Sequence, residues 1–149
     1  VEENTRGLPV DVVQADGRDP GVEPGFDRVL VDAPCTGLGA LRRRPEARWR
    51  RQPTDIPELT RLQRELLASA IRLTRPGGVV VYATCSPHLA ETVGVVADAV
   101  RRHPVTALPT GPLFAPAGDL EAGGGEYAQL WPHRHGTDAM FAAALRVGE

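Results

Sequence analysis

Two runs of almost unbroken apolar residues, Phe26–Val31 and Val79–Thr84, enclose a single amphipathic segment over roughly 55–74. In that segment Ile56, Leu59, Leu62, Leu66, Ala70 and Leu73 recur every three or four residues, the spacing of one apolar helix stripe. Strand, helix, strand in this order leaves few solutions. A helical crossover returns the second strand parallel to the first, in the same sheet. Strands with so little alternation are expected to be covered on both faces. The fold class is therefore α/β.

The flanking sequence extends this unit. Val10–Gln14 alternates with β-branched residues and reads as a short strand that stops at Ala15-Asp16-Gly17. Asp55, with Glu58 three residues on, is placed to cap the long helix as a capping box. Pro76-Gly77-Gly78 ends it. A second helix is expected over roughly 88–102, with Leu89, Val93, Val96 and Val100 on one face. Residues 42–53 and 109–126 are rich in Arg, Pro or Gly and read as irregular. About Ala128–Pro132 and Ala139–Val147 are two strands joined through His133–Asp138, an antiparallel hairpin. The expected whole is a parallel sheet with an antiparallel edge.

At 149 residues the chain holds one domain at most, and 42% hydrophobic against 24% charged residues is a globular balance. No apolar run approaches the ~20 residues of a membrane span, and no basic-then-apolar leader opens the chain. Two cysteines are too few for a disulfide framework, which fits a reducing, cytoplasmic setting. The net charge of -2 hides an asymmetry, because all seventeen basic residues are Arg and ten of them fall within 41–75, among only four acids. A polyanion would be drawn to that segment first.

The topology places Cys35 and Cys85 on one rim. Parallel sheets bind ligands at the carboxyl ends of their strands. The first long strand ends at Asp32 and delivers Cys35 three residues later; the second delivers Cys85 almost at once. Fifty residues apart in sequence, the two thiols belong to neighbouring strand ends. Spacing alone leaves several readings open. They are small buried hydrophobes, a disulfide disfavoured in the cytoplasm, a zinc site short of ligands even with His88, or a nucleophile with its acid/base partner.

The local words are more specific. Asp32-Ala-Pro-Cys35-Thr-Gly-Leu-Gly39 and Ala83-Thr-Cys85-Ser-Pro together resemble the signature of RNA cytosine-C5 methyltransferases of the bacterial Sun/Fmu and eukaryotic Nop2 group. The resemblance runs over essentially the whole chain. It takes in Gln14-Ala-Asp16-Gly-Arg-Asp19, Arg75-Pro-Gly-Gly-Val-Val-Val-Tyr82 and Gln129-Leu-Trp-Pro-His-Arg-His-Gly-Thr-Asp138. One departure is Asp138-Ala-Met-Phe141, where the family word continues Asp-Gly-Phe-Phe.

What the resemblance implies is a Rossmann-like, S-adenosylmethionine-dependent methyltransferase acting on cytidine in RNA, with small-subunit ribosomal RNA the preferred substrate. Matched residue by residue, Cys85 is the nucleophile that adds to cytosine C6, and Cys35 aids proton removal and release. Asp32 and Asp16 line the cofactor pocket, and no metal is implied. The thiolate makes C5 nucleophilic, which a neutral cytosine ring is not. The Arg42, Arg43, Arg44, Arg48, Arg50 and Arg51 cluster, with Trp49 interleaved, follows the Pro-Cys loop and supplies phosphate contacts and one stacking surface for RNA.

The same resemblance places the family's first strand and Gly-rich cofactor loop upstream of this sequence. Residues 1–149 are accordingly expected to be the C-terminal part of a catalytic domain, incomplete at the N-terminus. Weak cofactor binding and self-association through an open sheet edge follow as expectations, with the oligomeric state itself undetermined. Three rivals remain: a non-catalytic RNA-binding fragment of the same fold, a thiol redox or metal module, and an amino-group methyltransferase that needs no thiol.

Overall fold

The computed structural model describes residues 2–117, 121–122 and 125–149. In chain order the elements are α1 (Glu2–Thr5), β1 (Phe26–Asp32), α2 (Ala47–Arg50), α3 (Asp55–Leu73), β2 (Thr74–Thr84), α4 (Val93–Arg102), β3 (Val105–Leu108), β4 (Glu121–Ala122), β5 (Tyr127–Gln129), α5 (Pro132–His135) and β6 (Phe141–Val147). Short 3-10 turns occupy Leu38–Ala40, Leu89–Glu91 and Gly111–Ala117. One sheet runs β1-β2-β6-β5-β4, with β3 also paired to β6. Among the described residues only β1 and β2 pair in parallel; β6 is antiparallel to β2, β3 and β5.

Register explains the core. Val29 pairs with Val80 and Val31 with Tyr82; across the other edge of β2, Val80 pairs with Leu145 and Tyr82 with Ala143. With a period of two, these side chains share one face. Against that face lie Leu67, Ala70 and Ile71 of α3 and Val95, Val96 and Ala99 of α4. Each of the leucine, isoleucine and valine side chains among them, once buried, is worth about 1.5–3 kcal/mol.

The opposite face is less covered. Leu30, which pairs with Val81, is 68% exposed, and Phe26 is also exposed. The expectation that β1 is covered on both faces is therefore corrected. α3 covers one face, and among the described residues no strand pairs with the outer edge of β1.

Other boundaries moved for physical reasons. Val10–Gln14 forms no strand, since no partner strand satisfies its backbone, and Val10 and Val13 stay exposed. Its neighbourhood holds only the isolated Asp16–Asp19 bridge. The Asp55 capping box is absent: Asp55 already lies within α3, and its carboxylate accepts from the Gln52 N–H at 3.1 Å. Pro76-Gly77-Gly78 falls within β2, where the register slips between Phe26 and Arg28. The helix expected over 88–102 breaks at Thr92 (φ -119°, ψ -103°) into the Leu89–Glu91 turn and α4. In the C-terminal hairpin β5 pairs with β6, and its connection contains α5 where an open turn was expected. Part of the 109–126 segment lies outside the described residues; of the rest, Gly111–Ala117 is a 3-10 turn and Glu121–Ala122 a strand.

Candidate active site

Parallel pairing brings the two cysteine loops together. Asp32 sits opposite Ala83, and the Ala33 N–H continues the ladder to the Ala83 carbonyl at 3.0 Å. From there both chains turn off the sheet on the same side. The Sγ atoms of Cys35 and Cys85 lie 3.4 Å apart. That is thiol hydrogen-bond distance, well beyond the ~2.05 Å of a disulfide bond. Both cysteines are free.

The pair divides its protons unequally. The hydrogen bond with Cys35 is the main influence that lowers the Cys85 thiol, to about 6, outweighing burial and the nearby Asp32 and Asp138 carboxylates, which act upward; its own backbone N–H assists. Cys35 moves the opposite way, raised first by the same hydrogen bond and then by burial. Solvation decides which sulfur ionises: Cys35 is buried and Cys85 only half-buried. Of the two sulfurs, Cys85 is the one on which a negative charge is less costly, with the Cys35 S–H within reach to donate to it.

A carboxylate stands behind both loops. Glu91 is fully buried, and its Oε1 accepts from the Thr36 N–H at 2.8 Å and Gln63 Nε2 at 3.1 Å. Its Oε2 accepts from the Thr36 and Ser86 hydroxyls, each at 2.6 Å. Gln63, from α3, also donates to the Pro34 carbonyl at 2.9 Å. The Tyr82 hydroxyl donates to the Glu91 carbonyl at 2.8 Å. Thr36 and Ser86 each follow a cysteine directly, so one side chain ties both thiol-bearing loops. The neighbouring Thr84 hydroxyl, by contrast, is buried with no hydrogen-bond partner.

The thiols open on a cleft of about 800 Å³. Asp32 and Pro34 form one side; Arg43, Arg44, Arg50 and Arg51 reach it from the loop that follows. Asp32 is exposed at the end of β1, so its carboxylate is free to accept from a ligand's hydroxyl or amino groups. Asp16 is not among the lining residues. Both of its oxygens accept from the Arg18 guanidinium, which holds the carboxyl down to about 2.

The arginine cluster splits. Arg42 and Arg43 both pair with Asp138, at 2.7 Å for Arg42 Nε, and hold its carboxyl down to about 2. Arg51 Nε donates to the Thr36 carbonyl at 3.0 Å. Arg44, Arg48 and Arg50 carry no ion pair among the described residues. Trp49 stands 80% exposed on α2 between two of them. No group of three or more His, Cys, Asp or Glu among the described residues is placed to hold a metal ion.

Glu91, Gln63 and Asp138 were not recognised from sequence as parts of this site. In sequence, Glu91 reads as an ordinary acid at a helix start. A signal was present, however: each cysteine is followed by a hydroxyl residue, Thr36 and Ser86, and two hydroxyls flanking one site call for a shared acceptor.

Comparison with known proteins shows the family and the fold. Residues 1–146 match the family described as 16S rRNA methyltransferase RsmB/F. A Mycobacterium tuberculosis protein named as a methyltransferase is 74% identical over 146 residues, 98% of this chain and 32% of its own length. Ribosomal RNA small subunit methyltransferase B of Erwinia tasmaniensis is 36% identical over 97% of this chain and 33% of its own. The solved structure of NSun6 from Pyrococcus horikoshii with SFG, an S-adenosylmethionine analogue, superposes with a TM-score of 0.84 at 34% identity, covering 99% of this chain and 38% of that one. The chain thus spans about a third of the length of the curated relatives it matches.

Proposed function

The chain belongs to the RsmB/F family of 16S rRNA methyltransferases, and on that premise we propose that it carries the thiol half of an S-adenosylmethionine-dependent methylation of cytidine C5 in small-subunit ribosomal RNA. The observation that carries this reading is the 3.4 Å separation of Cys35 and Cys85 on adjacent parallel strands, at the mouth of an arginine-lined cleft. An amino-group methyltransferase has no use for two thiols in contact, one of them poised as a thiolate.

In this reading Cys85 is the nucleophile. Its thiolate adds to cytosine C6, forming a C–S bond and moving the ring electrons to C5. S-adenosylmethionine, when bound, supplies the electrophilic methyl group; in this reading Asp32, exposed on the cleft, would hold its polar atoms. Cys35 assists removal of the C5 proton, after which the C5 electrons expel Cys85 as thiolate. Once Cys85 is bonded to carbon, the neighbouring thiolate is gone, and with it the first cause that keeps Cys35 protonated. Cys35 is then more acidic at the stage where a base is required.

We further propose that residues 1–149 are the C-terminal part of a larger catalytic domain. The unpaired outer edge of β1 and the exposed Leu30 beside it support this. Arg44, Arg48, Arg50 and Trp49 are the RNA-facing side chains. No described helix is long and apolar enough to cross a membrane.

The test uses the protein extended to the full length of its relatives, with tritiated S-adenosylmethionine and unmodified 16S ribosomal RNA. Cys85→Ala is expected to abolish methyl transfer, and Cys35→Ala to trap an RNA–protein adduct on a denaturing gel. Methylation at the wild-type rate by both variants would overturn the reading.

A further inference from the structure

The buried carboxylate behind the thiols has a geometry that packing alone does not require. Glu91 lies on the Leu89–Glu91 turn, fully buried, with no Lys or Arg within ion-pair distance among the described residues. Burying a carboxyl group is costly unless its lone pairs are satisfied. Here two donors meet each oxygen, and three of the four come from residues directly following a cysteine: the N–H and hydroxyl of Thr36, and the hydroxyl of Ser86. The fourth, Gln63, also donates to the carbonyl just before Cys35. Every hydrogen bond of this carboxyl group ends on one of the two thiol loops or on the side chain that holds one of them.

We propose that Glu91 is a positioning residue that sets the spacing and hydrogen-bond direction of the Cys35–Cys85 pair, and through it the reactivity of Cys85. The inference rests on the two-thiol reading above and deepens it. Glu91 touches neither sulfur. It acts by holding residue 36 and residue 86 on one acceptor atom, Oε2, so the sulfurs one residue upstream of each cannot drift apart. If the clamp loosens, the Cys35 S–H no longer reaches Cys85, and the thiolate loses its principal donor. The other charged groups facing Cys85, Asp32, Asp138 and Arg43, sit on β1, on the residues before β6 and on the 42–53 loop. None of them is bonded to Glu91, so they stay in place when it is changed.

The chemistry of substitution separates clamping from simple filling of space. Glu91→Gln keeps the shape and one carbonyl oxygen. Its amide can turn toward the Thr36 and Ser86 hydroxyls, which rotate to accept, while the oxygen keeps the Thr36 N–H and Gln63. Glu91→Leu fills the space and accepts nothing. Ser86→Ala leaves Glu91 buried and cuts its side-chain link to the Cys85 loop, together with the 3.1 Å bond from the His88 N–H to the Ser86 hydroxyl.

The readout is the rate of Cys85 alkylation by iodoacetamide against pH, measured site by site by mass spectrometry on the protein extended to the full length of its relatives, with circular dichroism to verify folding. In Glu91→Leu and in Ser86→Ala the midpoint is expected to rise by about one pH unit or more toward that of an ordinary thiol, with Glu91→Gln close to wild type. An unchanged midpoint in folded Ser86→Ala overturns the proposal, whether or not Glu91→Leu folds. So does a Glu91→Gln profile displaced as far as that of Ser86→Ala. The assay involves no RNA and no cofactor, so its outcome is independent of whether the methyl-transfer assay succeeds.

Discussion

The backbone N–H of Gly39 donates to the carbonyl of Cys85 at 2.9 Å, so the loop that carries one thiol is fastened to the main chain of the other. The Gly39 carbonyl in turn accepts from the Ala139 N–H at 2.9 Å, which adds the strand leading into β6. A Cβ at this position would stand 2.0 Å from the Ala139 oxygen and 2.7 Å from the Cys85 oxygen. Both are backbone atoms and cannot swing aside. Gly39→Ala is therefore expected to cost about 1–3 kcal/mol in denaturant unfolding and to slow Cys85 alkylation. Gly37→Ala is the comparison: its φ of +72° is strained for alanine, but nothing lies within 4 Å of the added carbon. It is expected to cost about 1 kcal/mol and leave alkylation unchanged.

Acidity at the thiol pair gives a second test. Cys85 is depressed from 9.0 to about 6 in the folded chain. Between these values the folded protein carries a thiolate that the unfolded chain lacks. Its contribution to stability is present above the unfolded value and is lost as pH falls through about 6. Cys35, raised by the same bond, opposes this at higher pH, because folding then suppresses an ionisation the unfolded chain would make. The wild-type alkylation profile is expected to turn on near pH 6, and Cys35→Ala to move that midpoint upward. A wild-type midpoint in the ordinary thiol range would contradict the arrangement.

Salt dependence of RNA binding distinguishes members of the arginine cluster. Removing Arg44 or Arg50 takes away a phosphate contact, so the slope of log affinity against log salt should become shallower by about 0.7 on a single strand. Arg42 and Arg43 are committed to Asp138. Asp138→Asn is expected to free both guanidinium groups and steepen the salt slope, and filter binding of a short single-stranded RNA over a salt series measures it. Equal slopes in all variants would show that the loop is not the RNA surface.

Self-association follows from the exposed edge. Among the described residues the outer edge of β1 has no partner strand, and Leu30 and Phe26 on it are both exposed. Such edges recruit other chains. Sedimentation velocity is expected to show concentration-dependent association that Leu30→Lys reduces, with little change in stability because that side chain is not in the core. A strictly monomeric wild type at all concentrations would contradict this.

Much of the central unit was legible in the sequence because it rests on long periodic signals. α3 appears within a residue of its expected end, β1 lies where its apolar run places it, and β2 covers its apolar run but begins five residues earlier, at Thr74. The neighbouring thiols follow from parallel pairing alone. Val10–Gln14 misled because alternation records a preference that needs a partner strand to be realised. The role of Glu91 was legible only indirectly, through the hydroxyl residues that follow each cysteine, because the approach of Thr36 and Gln63 to it spans 55 and 28 residues and no local pattern encodes a distance of that kind. Asp138 was quoted as part of a motif, but its pairing with Arg42 and Arg43 spans more than ninety residues.

Gln63 projects from the middle of α3 into the gap between Pro34 and Glu91. The crossover helix is thus a gauge as well as a connector, because its rotational phase determines how closely two loops fifty residues apart may approach. One residue inserted ahead of Gln63 within α3 would turn that amide by about 100° around the helix axis. A compensating slide against the sheet restores the apolar stripe, but the amide cannot also return to both acceptors. Drift in the length of this helix is thereby constrained by sulfur chemistry at the far end of two strands.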